Sequence, residues 1–323
     1  MSAITVRGLV KRYSKAKVNA VDGVSFEVAR GEIFGLLGPN GAGKTTTIGI
    51  LTTAIVPTEG SASIMSVDVA KDPISVKQRI AVVPQQSNLD RSLKVREILT
   101  FHAAYHGVPR KTREALADKL LDELGLGERK NEKVGRYSGG MAQRLMIARA
   151  LMHEPDVLFL DEPTNNLDPQ SRLFLWERIR EMNGRGLTIL LTTHDMDEAD
   201  KLCNRIAVMD HGKVLVDNTP SELKKMIPGG TVLEVRAYAP PGSVRESLTA
   251  ALNGMPGVTK VELLEDDKNP SEASYRVYGE DTNTLIGPAA QAVLASGAEV
   301  RDLSVKKPSL EEVFIFLTGR HLR

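Results

Sequence analysis

The sequence predicts a two-part chain: an α/β core built on a mostly parallel sheet and carrying a helical insertion, then a small α+β domain. Three observations predict it. The segment Gly38-Pro39-Asn40-Gly41-Ala42-Gly43-Lys44-Thr45 fits G-x-x-x-x-G-K-[ST] and lies between an apolar run and a helical run. The run Val157-Leu158-Phe159-Leu160 ends in two carboxylates, Asp161 and Glu162. Beyond a breaker cluster at Pro228-Gly229-Gly230 the hydrophobic pattern switches repeatedly between strand and helix periods.

Taken in order, Val24–Val28 reads as a strand with Tyr13 ahead of it, and Glu32–Leu37 as a short, apolar, buried strand. The glycines that follow let backbone N–H groups close around phosphate oxygens, and the helix opening at Thr45–Leu51 adds its partial positive charge. Lys44 then reaches the β and γ phosphates, and the Thr45 hydroxyl ligates Mg2+. Ile80–Val83 is another strand, leading into Pro84-Gln85. From Asn88 to about Glu154 the pattern turns helical, with Val95–Tyr105 and Thr112–Leu124 separated by Gly107-Val108-Pro109. The turn Tyr137-Ser138-Gly139-Gly140-Met141 exposes N–H groups ahead of a helix over Ala142–Met152, presenting a second helix N-terminus to an anion. Val157–Asp161 reads as a central parallel strand with its carboxylates at the C-terminal edge, where open α/β sheets bind ligands. Asp161 is placed to hold Mg2+ through water, and Glu162, across the pleat, to polarise an attacking water. A helix after Pro169 carries Phe174 and Trp176 as packing residues, the strand Leu187–Thr193 ends on His194, and the core runs to about Leu215.

Past the breaker cluster, Thr231–Ala237 alternates as a strand and Ser243–Leu252 reads as a helix. Val258–Leu264 and Tyr275–Tyr278 are strands, Thr284–Leu294 a helix and Glu299–Val305 a strand. That order, β-α-β-β-α-β, is the ferredoxin-like arrangement, with the acidic stretch Glu265–Glu272 as a hairpin loop.

Composition sets limits. At 323 residues the chain can bury two cores, and a net charge of +1 gives no electrostatic case for nucleic acid as the main partner. Arg110–Arg113 reads as a solvated helix face. The single cysteine, Cys203, excludes an internal disulfide, suits a reducing cytoplasm and reads as a small packing residue. No stretch approaches the ~20 apolar residues that cross a bilayer, and the N-terminus lacks a signal peptide's apolar core.

In this order, over the first two-thirds of the sequence, these motifs resemble the ATP-binding subunit of ABC transporters. The resemblance implies a P-loop NTPase core over residues 1–227, with a helical subdomain at about 88–154 that docks on a transmembrane partner, and an accessory domain at 231–323. It implies ATP held by Tyr13, Gly38, Pro39, Asn40, Gly41, Ala42, Gly43, Lys44, Thr45 and Thr46. Ser138, Gly139, Gly140 and Met141 resemble the signature turn, which contacts the γ-phosphate held by the opposite subunit. Gln85 resembles the Q-loop glutamine that senses Mg2+ and attacking water, with Gln86 as the alternative. His194 resembles the switch histidine on the γ-phosphate. Tyr13 has two readings, the aromatic that stacks on adenine or an ordinary partly buried tyrosine. Catalysis then rests on Glu162, His194 and Gln85, with Thr45, Gln85 and Asp161 around Mg2+.

The loop Asn165-Asn166-Leu167-Asp168 resembles the one passing between the two ATP sites, with Asp168 as its aspartate. Asn166 stands where the family commonly has glycine, and asparagine tolerates a left-handed backbone better than most residues. Met141 stands where many relatives have glutamine, although the exporter branch often accepts methionine.

The tail Pro308-Ser309-Leu310-Glu311-Glu312-Val313-Phe314, continuing to Leu317-Thr318-Gly319-Arg320, resembles the carboxyl end of daunorubicin-type drug-resistance ATPase subunits. Leu310, Val313, Phe314 and Leu317 share one helix face, either packed on its own domain or meeting a partner. The resemblance implies the ATPase motor of an exporter of drugs, antibiotics or other small hydrophobic cargo. Two copies sandwich two Mg-ATP molecules, and a separately encoded multi-span permease holds them at the cytoplasmic face of the membrane. Two other classes stay open: a soluble ABC-type ATPase that remodels ribosomes or DNA, and a ligand-sensing regulatory ATPase gated by the C-terminal domain. Remodellers commonly carry two ATPase modules or a long coiled-coil insertion, and this sequence has neither.

Overall fold

The structure, a computed structural model, describes residues 2–14, 16–227, 231–264, 271–279 and 282–319. It divides into two compact units, Met1–Pro220 and Ser221–Arg320. The breaker cluster at 228–230, where the sequence places a boundary, lies outside the described residues, and the division falls earlier, between Pro220 and Ser221.

The first unit opens with β1 (Ser2–Lys11), β2 (Val21–Ala29) and β3 (Ile33–Leu37), then α1 (Lys44–Leu51). It continues through β4 (Glu59–Ile64), β5 (Val67–Asp68), α2 (Pro73–Arg79) and β6 (Ile80–Val83). A helical stretch follows: α3 (Val95–Tyr105), α4 (Arg110–Glu123) and α5 (Gly139–Ala150), the last leading into a 3-10 turn over Leu151–His153. Then come β7 (Val157–Asp161), α6 (Pro169–Gly184), β8 (Thr188–Thr193), α7 (Met196–Leu202), β9 (Arg205–Asp210) and β10 (Lys213–Asn218).

The central sheet has the order β10-β9-β3-β8-β7-β6, parallel throughout except for the antiparallel pairing of β10 with β9. Every residue of β3, β7 and β8 is buried, as strands covered on both faces require. A second, antiparallel sheet, β2-β1-β4-β5, packs its inward alternation (Ile4, Val6, Val24, Phe26, Val28) against the same core as Phe34, Leu36 and Phe159. The register pairs Leu37 with Thr193 and Asp161 with Thr192, so the loops leaving β3, β7 and β8 emerge side by side at one sheet edge.

Helix α3 buries Val95, Ile98, Leu99 and Ala103 along one face, and Glu97 accepts the Lys94 N–H at 2.8 Å to close its first turn. Helix α5 begins at Gly139, three residues before the sequence-based expectation of Ala142, because the Ser138 hydroxyl accepts the Met141 N–H at 3.3 Å and caps it. Its α-helical part stops at Ala150, so the expected end at Met152 falls in the 3-10 turn.

The second unit contains β11 (Val232–Tyr238), α9 (Ser243–Asn253), β12 (Val258–Leu264), β13 (Glu272–Gly279), α10 (Thr282–Ala295), β14 (Glu299–Lys306) and α11 (Leu310–Thr318), after the short α8 (Pro220–Lys225). Its antiparallel sheet has the order β12-β13-β11-β14, and α9 and α10 supply Leu248, Leu252, Leu285, Ala289 and Val293 to a core shared with Val235, Tyr275 and Val277. Glu272, expected in a hairpin loop, opens β13 opposite Tyr238, because the inward alternation Ala273, Tyr275, Val277 already starts one residue later. The remainder of that expected loop, 265–270, lies outside the described residues. In α11, Leu310, Val313 and Phe314 are buried and Leu317 is half-buried.

Candidate functional site: a phosphate-loop cleft

The loop between β3 and α1 reverses the chain with Gly41 and Gly43 at φ of 83° and 103°, a backbone region that side chains disfavour. Glycine is required at Gly38 by contact as well: a Cβ there would sit 2.2 Å from the Met209 carbonyl oxygen. At Gly41 a Cβ would meet nothing within 4 Å, so this turn faces open space. That space is a cavity of about 230 Å3 lined by Pro39, Asn40, Gly41, Gly43, Lys44, Thr45 and Thr46, with Ala20, Gln85 and Glu162.

The Lys44 ammonium is buried and donates to the carbonyls of Gly38 at 2.6 Å and Pro39 at 3.1 Å. It lies 3.7 Å from Glu162 Oε1. Burial lowers its pKa, and Glu162 and Asp161 oppose that shift by favouring the charged form. The Asp161 carboxylate accepts from the Thr192 hydroxyl at 2.5 Å and lies 3.5 Å from the Thr45 hydroxyl.

Glu162 differs from the sequence-based expectation. It does not continue the pleat of β7; its φ is 48°, so the chain turns left-handed immediately after the strand. Such a conformation costs a non-glycine residue on the order of 1–3 kcal/mol and needs surrounding structure to hold it. The Glu162 N–H supplies part of that hold, donating to the Thr192 carbonyl and hydroxyl, each at 3.1 Å. The carboxylate is thereby set among four side-chain nitrogens. Oε2 accepts from Gln85 Nε2 at 2.8 Å and Asn165 Nδ2 at 3.1 Å, while Oε1 lies 3.3 Å from His194 Nδ1 and near Lys44.

The structure thus brings Lys44, Thr45, Gln85, Asp161, Glu162 and His194 together. Gln85, and not the exposed Gln86, makes the contact. Tyr13 does not line the cavity; it is 44% exposed, with its hydroxyl 3.4 Å from Oγ1 of Thr46, which does, and Lys11 over its ring. Ser138, Gly139, Gly140 and Met141 do not line the cavity. Ser138 and Gly139 are exposed, whereas Gly140 is buried where a Cβ would lie 2.6 Å from Ser171 Oγ, so this glycine also lets α5 approach α6. Asn166 has φ of 59°, and Asp168 caps α6 by accepting the Ser171 N–H at 2.9 Å.

Sequence reasoning missed Asn165 and Thr192, which hold the two carboxylates. Thr192 is the lateral partner of Asp161 on β8, a relation visible only once strand order is known. It also missed Glu198. This fully buried carboxylate on α7 accepts through one oxygen from the Thr164 hydroxyl at 2.7 Å and Trp176 Nε1 at 3.1 Å, tying α6, α7 and the segment after Glu162 together. Trp176, expected only to pack, is therefore also a donor. Cys203 is buried against Gly35, and burial raises its thiol pKa.

Burial raises the Glu198 pKa against the opposing hydrogen bonds. A carboxyl whose folded value lies above its unfolded one favours folding most below the unfolded value, and that contribution fades as pH climbs through the folded value. Glu198→Gln keeps the acceptor oxygen and removes the buried charge. Its melting temperature at neutral pH should hold level or rise, with a flatter pH dependence. Glu198→Leu leaves two buried donors unpaired, at about 1–3 kcal/mol each. Thermal melts of both variants across pH check this; equal losses in both would overturn it.

Residues 21–165 match the family model described as ABC transporter. The chain is 40% identical over 318 residues to the daunorubicin/doxorubicin resistance ATP-binding protein DrrA of Streptomyces peucetius, covering 98% of this chain and 92% of that protein. It is 40% identical over 323 residues to the Nod factor export ATP-binding protein I of Burkholderia pseudomallei, covering 100% and 99%. Among solved structures, a dimeric ATP-binding cassette in a post-hydrolysis state bound to ADP and Pi superimposes with a TM-score of 0.61 at 26% identity, over 67% of this chain and 98% of that one. Among the described residues, no helix is long and apolar enough to cross a membrane. Identity at this level over nearly the whole length makes the chain an ATP-hydrolysing member of the ABC transporter family, on the branch of the daunorubicin-resistance and Nod factor export ATP-binding proteins.

Proposed function

We propose that this chain is the motor subunit of an exporter, hydrolysing Mg-ATP as half of a nucleotide-sandwiched homodimer and driving a separately encoded multi-span permease. The observation that carries the dimer is the separation of the two halves of the site. The phosphate cavity is lined by the loop from Pro39 to Thr46 other than Ala42, with Ala20, Gln85 and Glu162, while Ser138 and Gly139, a capped helix N-terminus, lie exposed and outside it. A second copy facing the first head to tail places each turn against the other's phosphates. The solved dimeric cassette supports this reading.

In this reading the loop N–H groups and Lys44 bind the β and γ phosphates. The hydroxyl of Thr45, which lines the cavity, and the Asp161 carboxylate 3.5 Å behind it are hard oxygen donors that suit Mg2+, with Gln85 Oε1 as a further oxygen ligand. An Mg2+ ion held there would supply positive charge against the transferring phosphate. Glu162, held by Gln85 and Asn165, orients and deprotonates the attacking water. His194 steadies the same carboxylate and reaches the γ-phosphate from the end of β8. Tyr13 offers its exposed ring to adenine, and Asp168 fixes the loop between the two sites.

The helical segment 88–154 is the permease-docking part, and the exposed Phe101 and Tyr105, four residues apart on α3 and 56% and 88% accessible, suit an apolar partner. The first unit, ending at Pro220, is the nucleotide-binding domain, and the second, from Ser221, is the accessory domain. The element order and the sheet order β12-β13-β11-β14 support the ferredoxin-like assignment for the latter. The chain works at the cytoplasmic face of the membrane, on drug, antibiotic or other small hydrophobic cargo, as the names of its relatives suggest.

An affinity pull-down of tagged Glu162→Gln from native membranes with Mg-ATP tests the proposal. A multi-span membrane protein should co-purify in stoichiometric amount. Ribosomes or nucleic acid without such a protein would overturn the exporter reading in favour of a remodelling ATPase.

A further inference from the structure

A cluster of three histidines lies outside the nucleotide cleft. His102 on α3 and His106 at its C-cap are four residues apart and share a face, and His153 closes the 3-10 turn after α5. One ring nitrogen from each lies within 4.8 Å of the others. The rings are in mutual contact: His106 stacks on His153 at 4.0 Å and 7°, and His102 tilts against both at 4.8 and 5.8 Å.

The hydrogen bonds fix how one of these rings can act. His153 Nε2 lies 2.9 Å from the Ile80 carbonyl oxygen, which can only accept, so the proton resides on Nε2. Nδ1 is then a lone pair, and it is buried without a hydrogen-bond partner. A ring nitrogen that donates to a backbone carbonyl while the other lone pair stays unused is the arrangement in which histidine ligates a metal. Burial first, then neighbouring imidazoles, disfavour the protonated form of the other two. His102 is lowered to about 4 by burial, then by His106, Arg149 and His153, and His106 is lowered by burial and by His153.

We propose that His102, His106 and His153 form a binding site for a borderline first-row divalent cation, of the Zn2+, Co2+ or Ni2+ class, with a fourth position left to water. An all-nitrogen set selects this class over Mg2+ or Ca2+, which take oxygen ligands. An ion must lie in the plane of each ring that binds it, so the parallel His106 and His153 rings cannot both point at it as they stand. His106 has to turn out of the stack, and its half-exposed position at the helix C-cap leaves room for that. Arg149, whose charge acts on His102 and whose guanidinium bonds Asn88 Oδ1 at 2.6 Å, opposes a second cation and keeps the affinity modest. Because the ligands come from two separate elements, an ion clamps α3 to the turn that follows α5.

The test is a titration of untagged, EDTA-stripped full chain with Co2+, without nucleotide or Mg2+, following the visible absorption of the bound ion and its displacement by Zn2+. One Co2+ per chain is expected, with a higher melting temperature. His106→Ala, on the half-exposed cap, should weaken binding at least about tenfold. His153→Ala should do the same, and His106→Ala still decides the matter where loss of the Ile80 bond unfolds that variant. His194→Ala, in the nucleotide cleft, should leave Co2+ binding unchanged. Absence of stoichiometric binding, binding undiminished in His106→Ala, or binding lost in His194→Ala would each overturn the proposal, the last by placing the ion among the cleft residues.

Discussion

Glu162→Gln is expected to lower steady ATP turnover by about 100-fold or more while leaving ATP affinity within a few fold, since a positioned general base contributes roughly 10²–10⁴ in rate. Oε2 of Glu162 accepts from Gln85 and Asn165, and Oε1 lies beside His194 Nδ1 and the Lys44 ammonium. An amide therefore sets its NH2 against donors in either orientation and loses the base as well. Binding is expected to survive because the loop glycines, Lys44 and Thr45 are untouched, and the left-handed turn at residue 162 is held by backbone bonds to Thr192 that the substitution keeps. Parallel measurement of steady-state hydrolysis and of equilibrium nucleotide binding checks both halves. Turnover within tenfold of the parent would remove Glu162 from the role of base.

What was legible in the sequence was local. The phosphate loop, β6, α3 and β12 follow from spacing and hydrophobic period within a few neighbours, and their bounds fall at or near the expected ones. The start of α5 was misplaced because the glycines at 139 and 140 read as a turn, whereas the Ser138 cap makes them the helix's first residues. The role of Gly140 depends on Ser171, an approach of two helices that no local pattern records. The left-handed turn at Glu162 was missed for a related reason: alternation along β7 predicts the pleat, but lateral bonds to β8 decide where the strand stops. Asn165 carried a weak signal, three residues past a carboxylate, and Thr192 carried none without the strand order. The histidine cluster unites α3 with a turn some way along the chain, and i, i+4 spacing could reveal two of its members but not the third.

Mixing two inactive variants should restore activity if each site takes its serine from the other copy. Lys44→Ala removes the buried cation that the proposed reading sets on the phosphates and whose charge acts on Glu162 and Asp161, so this variant alone should lose ATP binding and turnover. Ser138→Asp is chosen because aspartate caps a helix as well as serine does, keeping the bond to the Met141 N–H, while its charge faces whatever phosphate the turn approaches. That variant alone should fold, bind nucleotide in its own cleft and fail to hydrolyse it. In a head-to-tail pair of one copy of each, one site has both lesions and the other has neither, since its Lys44 comes from one chain and its Ser138 from the other. Random pairing makes half the dimers mixed, each with one good site of two, so activity should recover to about a quarter of the parent if the two sites fire independently. If Ser138 instead served its own chain's cleft, every site in the mixture would carry a lesion and no recovery would occur. Steady-state hydrolysis measured against mixing ratio should therefore peak near equal amounts, and a flat line at the level of the separate variants would sink the proposed sharing of sites between copies.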